Sequence, residues 1–266
     1  MPEPPPLVET LADADGVTEG RWLGGVLTLL QPRRGHRVGT DAALLVAAAG
    51  EAGRGRIVDV GAGVGAVGLA LAKRSAPLSA DLVEIDPGLA ELAASNAARN
   101  GLEPQARILR IDALDPGARR KAGLSECADY VVTNPPFFEA GTVRVSPDES
   151  KARAHVMPAD AGATLADWIS ASLAMLRPGG RFVMIHRPEA LGAILAGIGS
   201  RLGGIALLPV HPAVGASAIR VLVSGVKGSK APLRLAPGLI LHEADGRLTA
   251  EADAIHRGQR LVAWGD

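Results

Sequence analysis

Short apolar runs alternate along the chain with longer segments in which apolar residues recur at helical spacing. The runs are rich in Val, Ile and Leu and occupy residues 56–60, 80–85, 106–111, 130–133, 181–186, 205–209 and 219–226. This length and composition is typical of strands buried on both faces of a sheet. We therefore predict an α/β fold with a doubly wound, mostly parallel sheet of seven strands, of which the last two form an antiparallel hairpin.

The seven predicted strands define a central domain at residues 51–226, in which one stretch, 139–158, shows no periodicity. A loop of this length inside a compact domain is usually functional or disordered. Residues 1–50 are predicted to form a short N-terminal extension, with a hairpin, a basic glycine-containing loop and a helix. Residues 227–266 are predicted to form a short C-terminal extension.

Local signals give the N-terminal extension some detail. Its proline-rich start, residues 1–15, is expected to be poorly ordered. Two strands are predicted on either side of Gly24-Gly25, because paired glycines suit a hairpin turn. An Ala/Leu helix is predicted from residue 42, with Thr40 or Asp41 as its N-cap.

A glycine-rich loop follows the first strand of the central domain and carries Gly61, Gly63 and Gly65. Glycines let the backbone approach a ligand closely and turn sharply into a helix. The loop also satisfies the dinucleotide pattern G-x-G-x-x-G, so the glycines alone do not identify the ligand. Asp59, two residues before Gly61, would repel a pyrophosphate but suits the ammonium of an amino-acid ligand, directly or through water. The sequence therefore favours S-adenosylmethionine over NAD.

Acidic residues end the next two predicted strands. Asp86, followed by Pro87, is a strong helix start, which leaves Glu84 available for ribose hydroxyls. Asp112 follows the third strand and could accept a hydrogen bond from the amine of an adenine. The alternatives are that Glu84 is an exposed edge acid and that Asp112 only caps a turn.

The fourth strand ends in Asn134-Pro135-Pro136-Phe137. The two prolines cannot continue a sheet, so the strand must stop at Asn134. The Asn134 amide oxygen and the Pro135 carbonyl are two acceptors beside the Phe137 ring, an arrangement that suits a planar group bearing an NH₂. Because ligands of parallel α/β sheets bind at the carboxyl ends of the strands, we predict that these residues are catalytic.

Composition limits the possible partners. The chain has 28 basic and 28 acidic residues, so no global basic field indicates nucleic acid. Contacts with RNA would have to come from local groups, for which the alternative is a solvated loop. The candidate RNA-binding residues are Arg33, Arg34, Arg37, Phe138, Arg144, Lys151 and Arg153.

Other chemistry is not indicated. A single cysteine, Cys127, and the lack of a signal-peptide pattern are expected of a cytoplasmic protein. No apolar stretch is long enough to span a bilayer, and no spacing typical of a metal site is found. We therefore predict no membrane partner and no metal, and the oligomeric state stays open.

In this order, the motifs around Gly61, Glu84, Asp112 and Asn134 resemble those of the class I S-adenosylmethionine-dependent methyltransferases that modify amino nitrogens. More narrowly, the stretch from Leu30-Gln31-Pro32 through Gly39-Thr40-Asp41 is similar to the tRNA1(Val) adenine-N6-methyltransferase family, which modifies the adenine just 3′ of the anticodon. The resemblance covers residues 20–226 and implies a Rossmann-like methyltransferase fold.

The resemblance also implies roles for individual residues. Gly61, Gly63 and Gly65 would line the methionine moiety, Glu84 the ribose, Asp112 the adenine amine and Asn134 the target amine. The same motifs leave three alternatives open. A guanine-N2 rRNA methyltransferase fits them equally well. A protein glutamine-amide methyltransferase uses the same acceptors, but usually with a Tyr in place of Phe137. A cofactor-binding RNA adaptor without turnover is the non-enzymatic alternative.

Overall fold

The computed structural model describes residues 8–14, 16–34, 37–50, 54–75, 78–136 and 163–265, with the backbone alone for 8–14. Within these ranges the strands are β1 (Val8–Ala14), β2 (Val17–Trp22), β3 (Leu27–Pro32), β4 (Gly55–Val60), β5 (Leu78–Glu84), β6 (Ala106–Arg110), β7 (Ala128–Thr133), β8 (Leu176–His186), β9 (Leu202–Ala213), β10 (Arg220–Lys227), β11 (Arg234–Leu235) and β12 (Leu239–His242). The helices are α1 (Thr40–Ala49), α2 (Ala66–Arg74), α3 (Pro87–Arg99), α4 (Pro116–Lys121), α5 (Leu165–Met175), α6 (Leu191–Ile198) and α7 (Ala250–His256), with a 3-10 turn at Pro188–Ala190.

The central sheet has the order β11-β9-β10-β8-β7-β4-β5-β6, and β12 also pairs with β9. The five strands from β8 to β6 are parallel, whereas β10 is antiparallel to both β8 and β9. The predicted α/β class, the mostly parallel sheet and the antiparallel final pair are confirmed. The structure adds two short strands, β11 and β12, to the seven that were predicted.

Helices cover both faces of this sheet because its central strands are apolar on both sides. Along β4, Ile57 faces one apolar cluster and Val58 and Val60 face the other, and all three side chains are fully buried. Helices α1, α2 and α3 pack on the first face, and α5 and α6 pack on the second. Burial on two faces explains why these strands read as continuous apolar runs.

The N-terminal strands form a separate antiparallel sheet in the order β1-β2-β3. The predicted turn is confirmed, since Trp22 pairs with Leu27 across it. Residues 8–14, expected to be poorly ordered, instead form β1 against β2. For residues 8–14 the prediction was wrong, because a proline-rich composition at the start of the chain does not reveal that the following segment can pair with a neighbouring strand.

Two asparagines, Asn96 within α3 and Asn100 at its C-cap, attach β3 to this helix. Asn96 accepts from the Leu30 amide at 2.6 Å and donates to its carbonyl at 2.9 Å. Asn100, one turn later, bonds the amide and the carbonyl of Thr28 at 2.9 and 2.8 Å. The two side chains therefore satisfy backbone groups of β3 as a neighbouring strand would.

Helix caps agree only in part with the sequence. Asp86 accepts from the Leu89 amide at 2.9 Å, with Pro87 at the first helical position, as predicted. At α1 the N-cap is Gly39, so the assignment of Thr40 or Asp41 as the cap was wrong. The Asp41 carboxylate instead pairs with Arg220 at 2.8 Å, at the start of β10. A long-range ion pair of this kind leaves no local signal in the sequence.

The C-terminal segment, residues 227–265, lies against β9 and α1. Its strands β11 and β12 are parallel to β9, and the turn at Asp245-Gly246 is closed by the Glu243 amide and the Arg247 carbonyl, 2.8 Å apart. Trp264 donates from Nε1 to the Ala48 carbonyl at 3.1 Å, near the end of α1.

Candidate active site

The four predicted motifs meet at the carboxyl edge of the central sheet. In the register of the parallel strands, Val60 at the end of β4 pairs with Val83 of β5 on one side and with Thr133 of β7 on the other. The glycine loop, Glu84 and Asn134 therefore follow directly on adjacent strands, and Asp112 follows the next strand, β6. This edge is where ligands of parallel α/β sheets bind.

The glycine loop turns tightly from β4 into α2. Gly61, Gly63 and Gly65 have φ of +72°, +56° and +83°, a conformation that side-chain-bearing residues rarely adopt. A Cβ on Gly61 would lie 3.0 Å from the Trp168 ring, and one on Gly65 would lie 2.9 Å from Leu82. A Cβ on Gly63 would meet nothing within 4 Å. Gly63 thus faces open space, as expected of the position where a ligand approaches the backbone.

Glu84 holds this loop in place. Its Oε2 accepts from the Gly63 amide and its Oε1 from the Asp86 amide, both at 2.8 Å. The residue is only 7% exposed, so the alternative of an exposed edge acid was wrong. Burial raises the pKa of the Glu84 carboxyl, while the backbone amides partly oppose the rise. Each oxygen has a further lone pair with which to accept from a ligand hydroxyl.

Asp59 lies beneath the same loop. Its Oδ2 accepts from the Gly68 amide at 2.9 Å, which anchors α2 to the end of β4. The side chain is almost completely buried, and burial raises the pKa of its carboxyl to about 7, with a smaller contribution from the charge on Glu84. The contact with a ligand ammonium stays a prediction, to which the structure adds this anchoring bond.

Asp112 makes a local contact at the end of β6. Its Oδ1 accepts from the Leu114 amide at 2.8 Å, which is the turn-capping alternative that the sequence left open. A carboxylate has several lone pairs, so this bond does not prevent a second one to an adenine amine. The adenine role stays a prediction.

Asn134 is half-buried and follows β7, as predicted. Phe137, Phe138, Arg144, Lys151 and Arg153 lie outside the described residues. Arg33, Arg34 and Arg37 are exposed on the segment between β3 and α1. That segment leads to the carboxyl edge, because α1 begins beside Arg220 and β10 runs antiparallel to β8.

Sequence reasoning missed two residues of this edge. Ile85 is 56% exposed although large and apolar, and it stands between Glu84 and Asp86, where it could cover the face of a base. Asn96 is fully buried on α3, and its Nδ2 also donates to the Val64 carbonyl of the glycine loop at 3.0 Å. The available signal was a polar residue at a position of α3 whose neighbours on the same face, Ala93 and Ala97, belong to the core.

No group of three or more potential metal ligands is present among the residues whose placement is described. In the same part of the chain, no helix has the length and apolar character needed to cross a membrane.

The comparisons with known proteins agree with this geometry. The family model of the methyltransferase small domain matches residues 35–150. A crystal structure of a predicted O-methyltransferase from Agrobacterium tumefaciens is 31% identical, with a TM-score of 0.68, and the match covers 84% of this chain and 98% of that one. The fold and its glycine-loop edge are those of a class I S-adenosylmethionine-dependent methyltransferase.

Curated relatives narrow the class. The tRNA1(Val) (adenine(37)-N6)-methyltransferase of Porphyromonas gingivalis is 33% identical over 186 residues, which are 65% of this chain and 69% of the relative. A protein of the same name from a Flavobacteriaceae bacterium is 32% identical over 158 residues, 59% of this chain and 62% of the relative. The chain belongs to the tRNA1(Val) (adenine(37)-N6)-methyltransferase family.

Proposed function

We propose that this chain transfers a methyl group from S-adenosylmethionine to the N6 amine of an adenine in RNA, next to the anticodon of a tRNA. The observation that carries the proposal is the register of β4 and β7, which sets Asn134 beside the glycine loop in a chain whose relatives are named for adenine 37 of tRNA1(Val). In the same proposal, residues 51–226 form the methyltransferase domain and 1–50 and 227–266 are its extensions.

The residues at the carboxyl edge fit the cofactor. The open space at Gly63 allows close approach to the backbone, and Asp59 and Glu84 are buried acids that suit a cationic ligand. When bound, the cofactor supplies an electrophilic methyl group on a sulfonium. Gly61, Gly63 and Gly65 would line its methionine part, and Glu84 would accept from the ribose hydroxyls. Ile85 and Asp112 would contact the adenine.

Asn134 and Pro135 would orient the target amine. An exocyclic amine is a poor nucleophile because its lone pair is delocalised into the ring. The Asn134 Oδ1 and the Pro135 carbonyl would accept its two N–H bonds and direct the lone pair at the methyl group. After transfer the nitrogen is acidic enough to lose a proton to water, so the site needs no general base.

The RNA contacts are proposed from the sequence and from exposure. Phe137 would stack on the swung-out base, a contact worth about 1–3 kcal/mol. Arg33, Arg34 and Arg37 are exposed on the segment that leads to the same edge. Phe138, Arg144, Lys151 and Arg153 are proposed as further RNA contacts from the sequence alone. An RNA substrate sets the reaction in the cytoplasm, in keeping with the single Cys127.

The similarity to a predicted O-methyltransferase from Agrobacterium raises a second candidate, transfer to oxygen. A hydroxyl nucleophile needs a base to remove its proton, and the amide of Asn134 cannot act as one. Two acceptors that cannot themselves take up a proton, the Asn134 amide and the Pro135 carbonyl, suit an amine instead. Guanine N2 and the nitrogen of a glutamine amide also carry two N–H bonds that this acceptor pair could hold. The experiment below distinguishes these two acceptors from adenine N6.

The test is methyl transfer from labelled S-adenosylmethionine onto total RNA and, in parallel, total protein, followed by nucleoside analysis. We expect the label in tRNA as N6-methyladenosine. N2-methylguanosine, or label confined to protein, would overturn the adenine assignment. Label in neither fraction, with intact cofactor binding, would favour the adaptor.

A further inference from the structure

Trp168, on α5, connects the glycine loop with the strand end that carries Asn134. The indole Nε1 donates to the Thr133 hydroxyl at 2.9 Å, and that hydroxyl donates to the Val60 carbonyl at 2.8 Å. The same indole lies beneath Gly61, where an added Cβ would come within 3.0 and 3.1 Å of two ring carbons. The indole and the hydroxyl are both buried.

The directions of these bonds are fixed by chemistry. A hydroxyl has one proton, and Thr133 uses it on Val60, so toward Trp168 it can only accept. The indole Nε1 is a donor only. Exchange of either partner for a side chain without the polar group therefore breaks a defined bond and leaves a buried polar atom without its partner.

The bonded residues occupy special positions along the chain. Val60 and Thr133 are register partners at the ends of the parallel strands β4 and β7. Val60 directly precedes Gly61, and Thr133 directly precedes Asn134. The bond between these two residues thus connects the start of the glycine loop with the start of the Asn134 motif. The indole also packs against the glycine loop at Gly61.

We propose that Trp168 and Thr133 are positioning residues that set the separation and orientation of the glycine loop relative to Asn134. They would touch neither cofactor nor base and would act only through the backbone of Val60, Gly61 and Asn134. This inference rests on the proposed function, because it assigns to these residues the alignment of the methyl group with the target amine.

Loss of these hydrogen bonds should lower the turnover rate more than the affinity for the cofactor. Misplacement of reacting groups by as little as about 1 Å can cost up to about a hundredfold in rate. In variants of Thr133 or Trp168 the glycine loop would still be bonded to Glu84 and Asn96, so cofactor affinity should be largely preserved. A purely structural role would instead lower stability and leave the rate constant of the folded enzyme unchanged.

The experiment compares matched variants by kcat, by KM and Kd for S-adenosylmethionine, and by melting temperature. Thr133→Val removes the hydroxyl at nearly constant volume, and we expect kcat to fall about tenfold, with cofactor Kd within about threefold of wild type. Thr133→Ser keeps the hydroxyl and should restore most of the rate. Trp168→Phe leaves the Thr133–Val60 bond in place, so kcat should fall less, by about threefold.

Trp264→Phe is the matched control. It removes an indole donor bonded to the Ala48 carbonyl near the C-terminal end of α1, and it should lower the melting temperature without changing kcat. Because Thr133 and Trp168 share one bond, the loss of kcat in the double variant Thr133→Val/Trp168→Phe should be smaller than the product of the two single losses. Any loss beyond that of Thr133→Val measures the support that the indole ring gives to Gly61.

Two outcomes would overturn the positioning role. One is a Thr133→Ser variant that loses as much kcat as Thr133→Val. The other is a Trp168→Phe variant that behaves like Trp264→Phe, and this comparison decides the question even if Thr133→Val does not fold. Should the wild-type enzyme methylate an acceptor other than adenine, the proposed function fails, and the same series tests the positioning role with that acceptor.

Discussion

Buried carboxylates near the amino ends and at the carboxyl ends of the central parallel strands have different bonding partners. Toward the amino edge, the buried Asp81 is held between two guanidinium groups, with Arg56 Nε at 2.5 Å and Arg107 Nε at 2.7 Å. At the carboxyl edge, Asp59 and Glu84 are equally buried, but among the described residues they bond only backbone amides.

The difference separates structural acids from acids available to a ligand. Burial of a carboxylate is costly unless a cation or several donors compensate for it. Toward the amino edge the chain supplies the cation itself. At the carboxyl edge the described residues compensate the charge only through backbone amides, and a sulfonium and an ammonium would neutralise the remaining negative potential. Variants at the two edges should therefore have opposite effects.

The largest effect is expected at Asn134. Asn134→Ala should lower kcat by at least about a hundredfold, because the target amine loses one of its two acceptors, while the Kd of the cofactor stays within about twofold. Single-turnover methylation and calorimetric titration measure the two quantities. Asn100→Ala is the control, since Asn100 bonds β3 and should affect stability only. Loss of cofactor binding in Asn134→Ala would contradict the assigned role.

Glu84→Gln should weaken cofactor binding by about thirtyfold, because hydrogen bonds to a charged group are worth about 1.5–3 kcal/mol. Gln also has only one acceptor oxygen, whereas Glu84 accepts from both Gly63 and Asp86. The melting temperature should change little, since removal of a buried charge offsets the lost bonds. Calorimetry with S-adenosylmethionine is the measurement, and unchanged affinity would remove Glu84 from the cofactor site.

Asp81→Asn should have the opposite effect to Glu84→Gln, with lower stability and unchanged cofactor binding. We expect the free energy of unfolding to fall by about 1.5 kcal/mol, or about tenfold in the folding equilibrium, with kcat and cofactor affinity unchanged. This loss is smaller than for a fully buried pair, since Arg56 and Arg107 are partly exposed and screened by water. Denaturant unfolding measures it. A loss of activity without loss of stability would break the contrast between the edges.

The smallest effect is a pH dependence at Asp59. Because the folded pKa is raised to about 7 from 3.8, the carboxyl's contribution to stability is full below pH 3.8 and is lost as the pH rises toward 7. Binding of a cation favours the ionised form. Cofactor affinity should therefore rise by about threefold through pH 7, with release of a proton. Asp59→Asn should flatten this profile, and a slope unchanged in that variant would assign the proton to another group.

The sequence was most informative where local chemistry decides the structure. Asp86-Pro87 predicted the start of α3, and the apolar runs predicted strands buried on both faces. The glycines and the prolines of Asn134-Pro135-Pro136 predicted where two strands end. The residue types at those ends also indicated the class of ligand.

Sequence reasoning failed where distant segments meet. Asn96 serves both β3 and the glycine loop, and Trp168 donates a hydrogen bond across the sheet edge, but periodicity describes both only as residues on a helix face. Asp41 suggested an N-cap because its partner Arg220 is remote in the chain. The strands β11 and β12 are too short to give an apolar pattern of their own.

Those two strands have a consequence for handling the protein. β9 is twelve residues long, and β11 and β12 lie along its outer side, Arg234 beside Ala206 and Leu239 beside Val210. Without β11 and β12, β9 would be an exposed edge strand whose unpaired amides and carbonyls could bond to another chain in solution. Removal of the C-terminal segment to obtain a minimal enzyme should therefore lower recovery through aggregation, although this segment contributes none of the proposed catalytic or cofactor-binding residues.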